Sequence, residues 1–285
     1  MVAIAGAQPR ERRREMLIYW LYRAAERVIN ALPRWVVLPA ARRAFRNYAK
    51  YLVDMMRIGE LTSEAAARIV RIENPEMLDE VRSIGHGVIS CTVHVGGMDF
   101  IGPALKLINE AMHVVADDTT YGRLYEHMKA ARGRQHIFLI GWRNLRGLFR
   151  ALRNKQNLVL FCDGGYRRGD VPVEFCGEAT TFPLGPASLA AKTGAPLMPV
   201  ACRRIRGDRF VARGLPLVRC ERDEPAEIHR ATQAVADALG GVIREDPGQW
   251  YMFRPVWPQT DDDRAHAVAS LAAARRGEDW TKIPA

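Results

Sequence analysis

The sequence predicts an α/β fold: a mixed, mostly parallel central sheet flanked by helices and preceded by a helical segment. Three observations predict it. From Gly87 onward, short apolar runs bounded by turns alternate with helical stretches. Those runs are apolar almost throughout, as strands buried on both faces are. Before them, about 80 residues carry helical periodicity instead.

In the first of the early helices, Leu17, Leu21, Ala24, Val28 and Ala31 recur at helical spacing opposite Arg23, Glu26, Arg27 and Asn30. Pro33 and Pro39 are expected to interrupt the chain there. A second helix is expected over roughly Arg42 to Ile58, with Ala44, Tyr48, Tyr51, Leu52 and Met55 facing inward. A third starts near Thr62, with Ser63 as its candidate cap. The strand candidates are GVISCTV, MHVVAD, HIFLI, NLVLFCD, LMPVACRR and RFVARG. Between them lie the helical stretches Phe100–Asn109, Tyr121–Arg132, Arg143–Asn154, Gly185–Thr193 and Ala226–Arg244. After Asp261 comes an alanine-rich helix with a polar end, expected to dock loosely. The organisation read from this is a helical membrane-proximal segment over 1–80, an α/β domain over 81–258 and a helical tail over 259–285.

Composition narrows the class. Hydrophobic content of 48% and charged content of 26% are those of a globular chain. The five cysteines include no CxxC pair, and several lie in apolar runs where a thiol behaves as a small hydrophobe. A reducing compartment is the expectation. The net charge of +10 is concentrated: residues 1–50 hold eleven Arg and Lys against three Glu, a balance of +8. Such a block suits anionic lipid head groups, and Trp20, Tyr22 and Trp35 beside arginines suit an interfacial helix. The same block is compatible with a solvated face. The apolar runs Met16–Tyr22 and Trp35–Ala41 are seven residues each, whereas a span needs about 20. No stretch has the build of a signal peptide. The expectation is a protein that lies on a membrane without crossing it. No recognised nucleic-acid module is present, and aromatics do not line a basic strand, so no nucleic-acid partner is expected.

Three segments carry chemistry. In Val93-His94-Val95-Gly96-Gly97-Met98-Asp99 the histidine and the acid are five residues apart. On one regular helix that offset would separate them by about 140°. Two glycines directly after a strand candidate predict a tight strand-to-helix turn instead, able to return the Asp99 carboxylate to one imidazole nitrogen of His94. The other nitrogen would then face a cleft as a general base. A surface histidine in a polar turn is the competing reading. In Phe161-Cys162-Asp163-Gly164-Gly165-Tyr166-Arg167-Arg168-Gly169, Asp163 closes a strand candidate and is expected to face the same cleft, with Arg167 and Arg168 able to hold a phosphate or carboxylate. A capped turn with solvated arginines is the alternative. The loop fits neither nucleotide-binding glycine pattern. Over Arg143–Arg153, Leu145, Leu148, Phe149 and Leu152 form one helical stripe with Arg146 and its neighbours off it. No G-x-S-x-G elbow and no H-E-x-x-H is present, so neither a serine nucleophile nor a metal site is expected.

Together these blocks resemble the lysophospholipid acyltransferase superfamily, in the branch of bacterial lipid A lauroyl/myristoyl acyltransferases and phosphatidylinositol mannoside acyltransferase. The resemblance covers about Arg23 to Trp257. It is carried by ARRAFRNYAKYLVDMMRI, HVGGMD, NLRGLFRALRNKQNLVLFCD, VEFCGEATTFPLGPASLAAKTGAPLMPVACRR and PGQWYMFRPVW. It implies a membrane-associated O-acyltransferase that moves a fatty acyl group from acyl-CoA or acyl carrier protein to a hydroxyl of a lipid or glycolipid. It implies no resident cofactor and a peripheral place on the cytoplasmic face of the bacterial inner membrane. His94 would be the base and Asp99 its partner. Asp163 would line the cleft, and Arg146 and either Arg167 or Arg168 would meet anionic groups. Asp99 stands where the lipid A enzymes commonly have Glu, and no single-span anchor is evident at the N-terminus, which leans the resemblance toward glycolipid or phospholipid substrates. A non-catalytic membrane-binding protein that keeps the fold is the alternative.

Overall fold

In a computed structural model of the chain, residues 34–85, 87–106, 111–116 and 122–284 are described. The chain divides into two units between Arg46 and Asn47. Of the first, residues 34–46 are described, and they are helical. The expected helix over Leu17–Ala31 and its aromatic residues lie outside the described residues.

Helix α1 runs Arg34–Arg57 without a break at Pro39. A proline near a helix start removes only one donor, and the carbonyl it leaves unbonded lies in the first turn. Helix α2 (Ser63–Ile69) is capped by Thr62, whose hydroxyl accepts the Ala65 amide, so the cap is one residue earlier than expected. There follow β1 (Val70–Ile72), α3 (Glu76–Ser83), β2 (Val88–Thr92), α4 (Ile101–Lys106), β3 (Met112–Ala116), α5 (Gly122–Gly133), β4 (Ile137–Gly141), α6 (Leu145–Arg153), β5 (Asn157–Phe161), β6 (Val171–Phe175), β7 (Glu178–Phe182), α7 (Gly185–Thr193), β8 (Leu197–Arg204), β9 (Phe210–Gly214), α8 (Pro225–Glu245) and α9 (Asp261–Arg275).

Seven strands form one sheet in the order β1-β9-β8-β2-β5-β3-β4. Every pairing in it is parallel except β8 with β9. β2 is central and buried at all five positions, which is why its sequence does not alternate. Its odd-numbered residues Ile89 and Cys91 enter the main core with Leu148 and Leu152 of α6, Ala190 of α7 and Leu239 of α8. Its even-numbered residues face the other side, toward α4, because successive strand side chains alternate. The sheet thus has two unlike faces, and the site lies on the second.

β6 and β7 form a separate antiparallel hairpin turned by Cys176 and Gly177, both at positive φ. Gln233 of α8 bonds both backbone groups of Glu174 and fixes the hairpin to that helix. The C-terminal helix docks firmly rather than loosely. Ala267, Leu271, Ala273 and Ala274 of α9 are buried, as is Trp280, whose indole donates to the Pro225 carbonyl. Alanine lets α9 approach closely, and the indole anchors the polar end. No helix among the described residues is long and apolar enough to cross a membrane.

Candidate active site

The parallel register of β2 with β5 builds the site. Thr92 is opposite Phe161, so two residues further on His94 stands opposite Asp163. Asp163 Oδ1 lies 2.8 Å from His94 Nδ1, and Asp163 Oδ2 accepts the His94 amide at 2.9 Å. The indole Nε1 of Trp250 donates to the same Oδ2 at 2.9 Å. A carboxylate only accepts, so in the neutral ring Nδ1 carries the proton and Nε2 is the free acceptor. Phe161 stacks on the imidazole with centroids 4.3 Å apart and fixes its plane.

After His94 the chain must turn between two backbones. Gly96, at φ +64°, donates to the Gln249 carbonyl at 3.0 Å, and Gly97 donates to that of Cys202 at 2.8 Å. A Cβ on Gly96 would collide with the Cys202 carbonyl, and one on Gly97 with the ring of Phe210. Tyr251 donates its amide to the His94 carbonyl at 2.8 Å. The turn is therefore stitched to β8 on one side and to residues 249–251 on the other.

This placement corrects two expectations. Asp99 does not orient the imidazole. The short 3₁₀ turn Met98–Phe100 carries its carboxylate toward α5, where Arg132 holds it through Nε at 2.9 Å and Nη2 at 3.0 Å. The Tyr51 hydroxyl donates to Asp99 Oδ2 at 3.2 Å. Burial, reinforced by the Asp99 charge, pushes the Tyr51 phenol well above its ordinary value. For Arg132 burial opposes the charged form, but the Asp99 carboxylate outweighs it and the net shift is upward. Nor does Asp163 face the cleft: its side chain is 0% exposed, and its oxygens are taken by His94 and Trp250.

His94 and Asp99 nevertheless share one cavity. Its volume is about 340 Å3, and its walls include Tyr51, Thr92, Arg132, Phe161 and Val200. The His94 side chain is 39% exposed. A smaller apolar hollow, sharing Ile101, Met112, Val159 and Val200 with it, lies further along the same sheet face and is lined also by Leu105 and Met198.

The expected basic contacts scatter. Arg146 lines a separate cavity between α6 and α7. Arg168 is engaged by Asp262 and by Asp263, the latter at 2.8 Å, in the first turn of α9, where successive carboxylates attract its charge. Arg167 is exposed, with its backbone held by Thr181. The helical spacing marks Tyr51 only as an inward-facing residue, and no local spacing marks Arg132 or Trp250 as part of the site. Only the ending of two strands in VH and CD hinted that His94 and Asp163 could be opposite.

The chain matches the model of a family described as bacterial lipid A biosynthesis acyltransferase over residues 39–259. It is 27% identical over 259 residues to the phosphatidylinositol mannoside acyltransferases of Mycobacterium tuberculosis strains CDC 1551 / Oshkosh and ATCC 25618 / H37Rv, with 88% of this chain and 78% of each relative covered. It is 28% identical over 244 residues to that of Mycolicibacterium smegmatis, with 83% of this chain and 78% of the relative covered.

Proposed function

Because the chain belongs to the bacterial lipid A biosynthesis acyltransferase family, and is thus an acyltransferase, we propose that it esterifies a hydroxyl of a lipid or glycolipid with a fatty acyl group from acyl-CoA or acyl carrier protein. The observation that carries the mechanism is the Asp163–His94 pair, with Nε2 as the free acceptor of a ring that borders a partly apolar cavity. His94 Nε2 takes the acceptor's hydroxyl proton while the oxygen attacks the thioester carbonyl. Collapse of the tetrahedral adduct breaks the C–S bond, and the thiolate recovers the proton from Nε2. Asp163 holds the tautomer and stabilises the transient imidazolium. Asp99 acts at one remove, holding Arg132 and the glycine turn in place. The acyl chain lies along the α4 face of the sheet, each buried methylene contributing about 0.8 kcal/mol. Arg167 is the cation assigned to an anionic group of donor or acceptor.

The mycobacterial relatives are named for a mannosylated phosphatidylinositol, which favours a glycolipid acceptor here. The basic block of residues 1–50 supports peripheral attachment to an anionic membrane, on the cytoplasmic face where thioester donors are made.

The test is thioester consumption and lipid product formation with the purified chain across acyl-CoA and acyl carrier protein donors. His94→Ala is expected to lower turnover by about 10²–10⁴-fold in a chain that still folds, the usual range for a lost general base. Unchanged turnover in that variant rejects the mechanism. Vesicle binding without acyl transfer from any donor, by the unaltered chain, would favour a non-catalytic lipid-binding role.

A further inference from the structure

On the sheet face opposite His94, α6 and α7 border an open hollow of about 570 Å3. Leu145, Phe149, Leu152 and Ala195 give it an apolar lining, and Arg146, Arg153 and Lys192 add cations. Lys192 is paired with Asp223 at 3.1 Å. Among the described residues, Arg146, Arg150 and Arg153 have no acidic partner.

The imbalance extends along the segment. Residues 141–156 contain Arg143, Arg146, Arg150, Arg153 and Lys155 and no acid at all. Where α6 begins, the apolar side chains come to the surface: Leu145 is 61% exposed and Trp142 48%. The Arg143 guanidinium lies over the Trp142 ring, 4.8 Å from its centroid. Unpaired arginines repel one another and attract anions, while exposed Leu and Trp beside them are poorly placed in water. An amphipathic indole next to long cationic side chains suits the boundary between head groups and acyl chains.

A soluble anion would satisfy the arginines and leave the apolar lining wet. A carboxylate-bearing protein surface would satisfy the arginines, but its short acidic side chains would not cover Leu145, Phe149 and Leu152. A phosphate joined to a hydrocarbon chain satisfies both. We propose that the α6–α7 cavity binds an anionic phospholipid, the phosphate held by Arg146 and Arg153 and the chain laid against Leu145, Phe149 and Leu152. It is a second lipid contact, separate from the His94 cavity and from the basic N-terminal block, and it holds α6 against an anionic bilayer.

The experiment is co-sedimentation of the full chain with phosphatidylcholine vesicles, with and without phosphatidylglycerol. A basic residue near an anionic surface contributes about fivefold to partitioning, so the Arg146→Gln/Arg153→Gln variant is expected to bind phosphatidylglycerol vesicles about 25-fold more weakly. Leu145→Asp, at an exposed position, is expected to weaken binding as well while leaving the melting temperature unchanged. Undiminished vesicle binding by both variants overturns the proposal. So does displacement from vesicles by inorganic phosphate at low millimolar concentration, the mark of a simple anion site. So does a loss of affinity for an acidic acyl carrier protein with vesicle binding intact, the mark of a protein partner.

Discussion

Two aspartates border the same histidine-bearing turn, and they serve opposite partners. Asp163 is fully buried and accepts from the imidazole, the His94 amide and an indole. Asp99, five residues along the chain from His94, is bound to a guanidinium and a phenol. The nearer acid in sequence is the wrong one for the imidazole. Parallel strand register, which sets positions 92 and 161 side by side, decides which carboxylate reaches the ring. The lesson is that a short motif specifies a turn, whereas the partner of the residue it presents comes from the neighbouring strand.

The comparison breaks most sharply by substituting each acid in turn. Asp163→Asn would let an amide face Nδ1 and favour the wrong tautomer, so turnover is expected to fall about 10³–10⁴-fold with the substrate KM little changed. Asp99→Asn leaves Arg132 charged at 14% side-chain exposure. Breaking such a buried pair costs about 3–5 kcal/mol, so its primary signature is a lower melting temperature and a smaller fall in turnover. Equal kinetic losses from the two, with equal stability, would show that the acids are not divided in this way. Arg132→Met added to Asp99→Asn is expected to restore much of the stability, which a melting curve reads directly.

The turn itself gives the next effect. Gly96→Ala places a methyl against the Cys202 carbonyl at a φ of +64° and is expected to destabilise by more than the roughly 1–3 kcal/mol that the strained backbone alone costs. A chemical-denaturation midpoint equal to that of the unaltered chain would contradict the stitching of the turn to β8.

A carboxylate near the surface supplies the smallest effect and a baseline. The hydrogen bonds from Arg230 hold Glu227 down to about 2, against an ordinary value of 4.5. A depressed folded value stabilises above the unfolded one and is lost as pH falls through the folded one. Glu227→Gln is therefore expected to be less stable than the unaltered chain near neutral pH, by at most about 1 kcal/mol because Arg230 is well exposed. Thermal melting followed from pH 7 downward checks the sign: the difference should close between about 4.5 and about 2.

Much of the architecture was legible because both-face burial and helical periodicity write themselves into local composition. The Gly185–Thr193 helix and the six apolar strand candidates all appear. The β6–β7 hairpin escaped because its two-residue turn is Cys176-Gly177, and cysteine is an unusual occupant of a positive-φ position that Asn or Asp normally fills. β1 is three residues long, too short to show a period. The firm docking of α9 was illegible because alanine signals only helix, and Trp280, its anchor, lies beyond the helix. In the site, His94 and Asp99 were legible as a glycine turn beside a cavity. Arg132 and Trp250 come from elements 38 and 156 residues away from His94 along the chain, and nothing local in either segment records the meeting.

The bonds from Trp250 and Tyr251 set an order on how this molecule comes into being. His94, Asp99 and Asp163 leave the ribosome well before the segment that fastens the His94 backbone carbonyl and supplies the third donor to Asp163. A nascent chain can already close its parallel strands while the histidine turn still has a loose flank. The histidine turn is complete only after the PGQWY segment returns to residues 94–96, just past the end of β2, so this site is assembled late in the chain's synthesis.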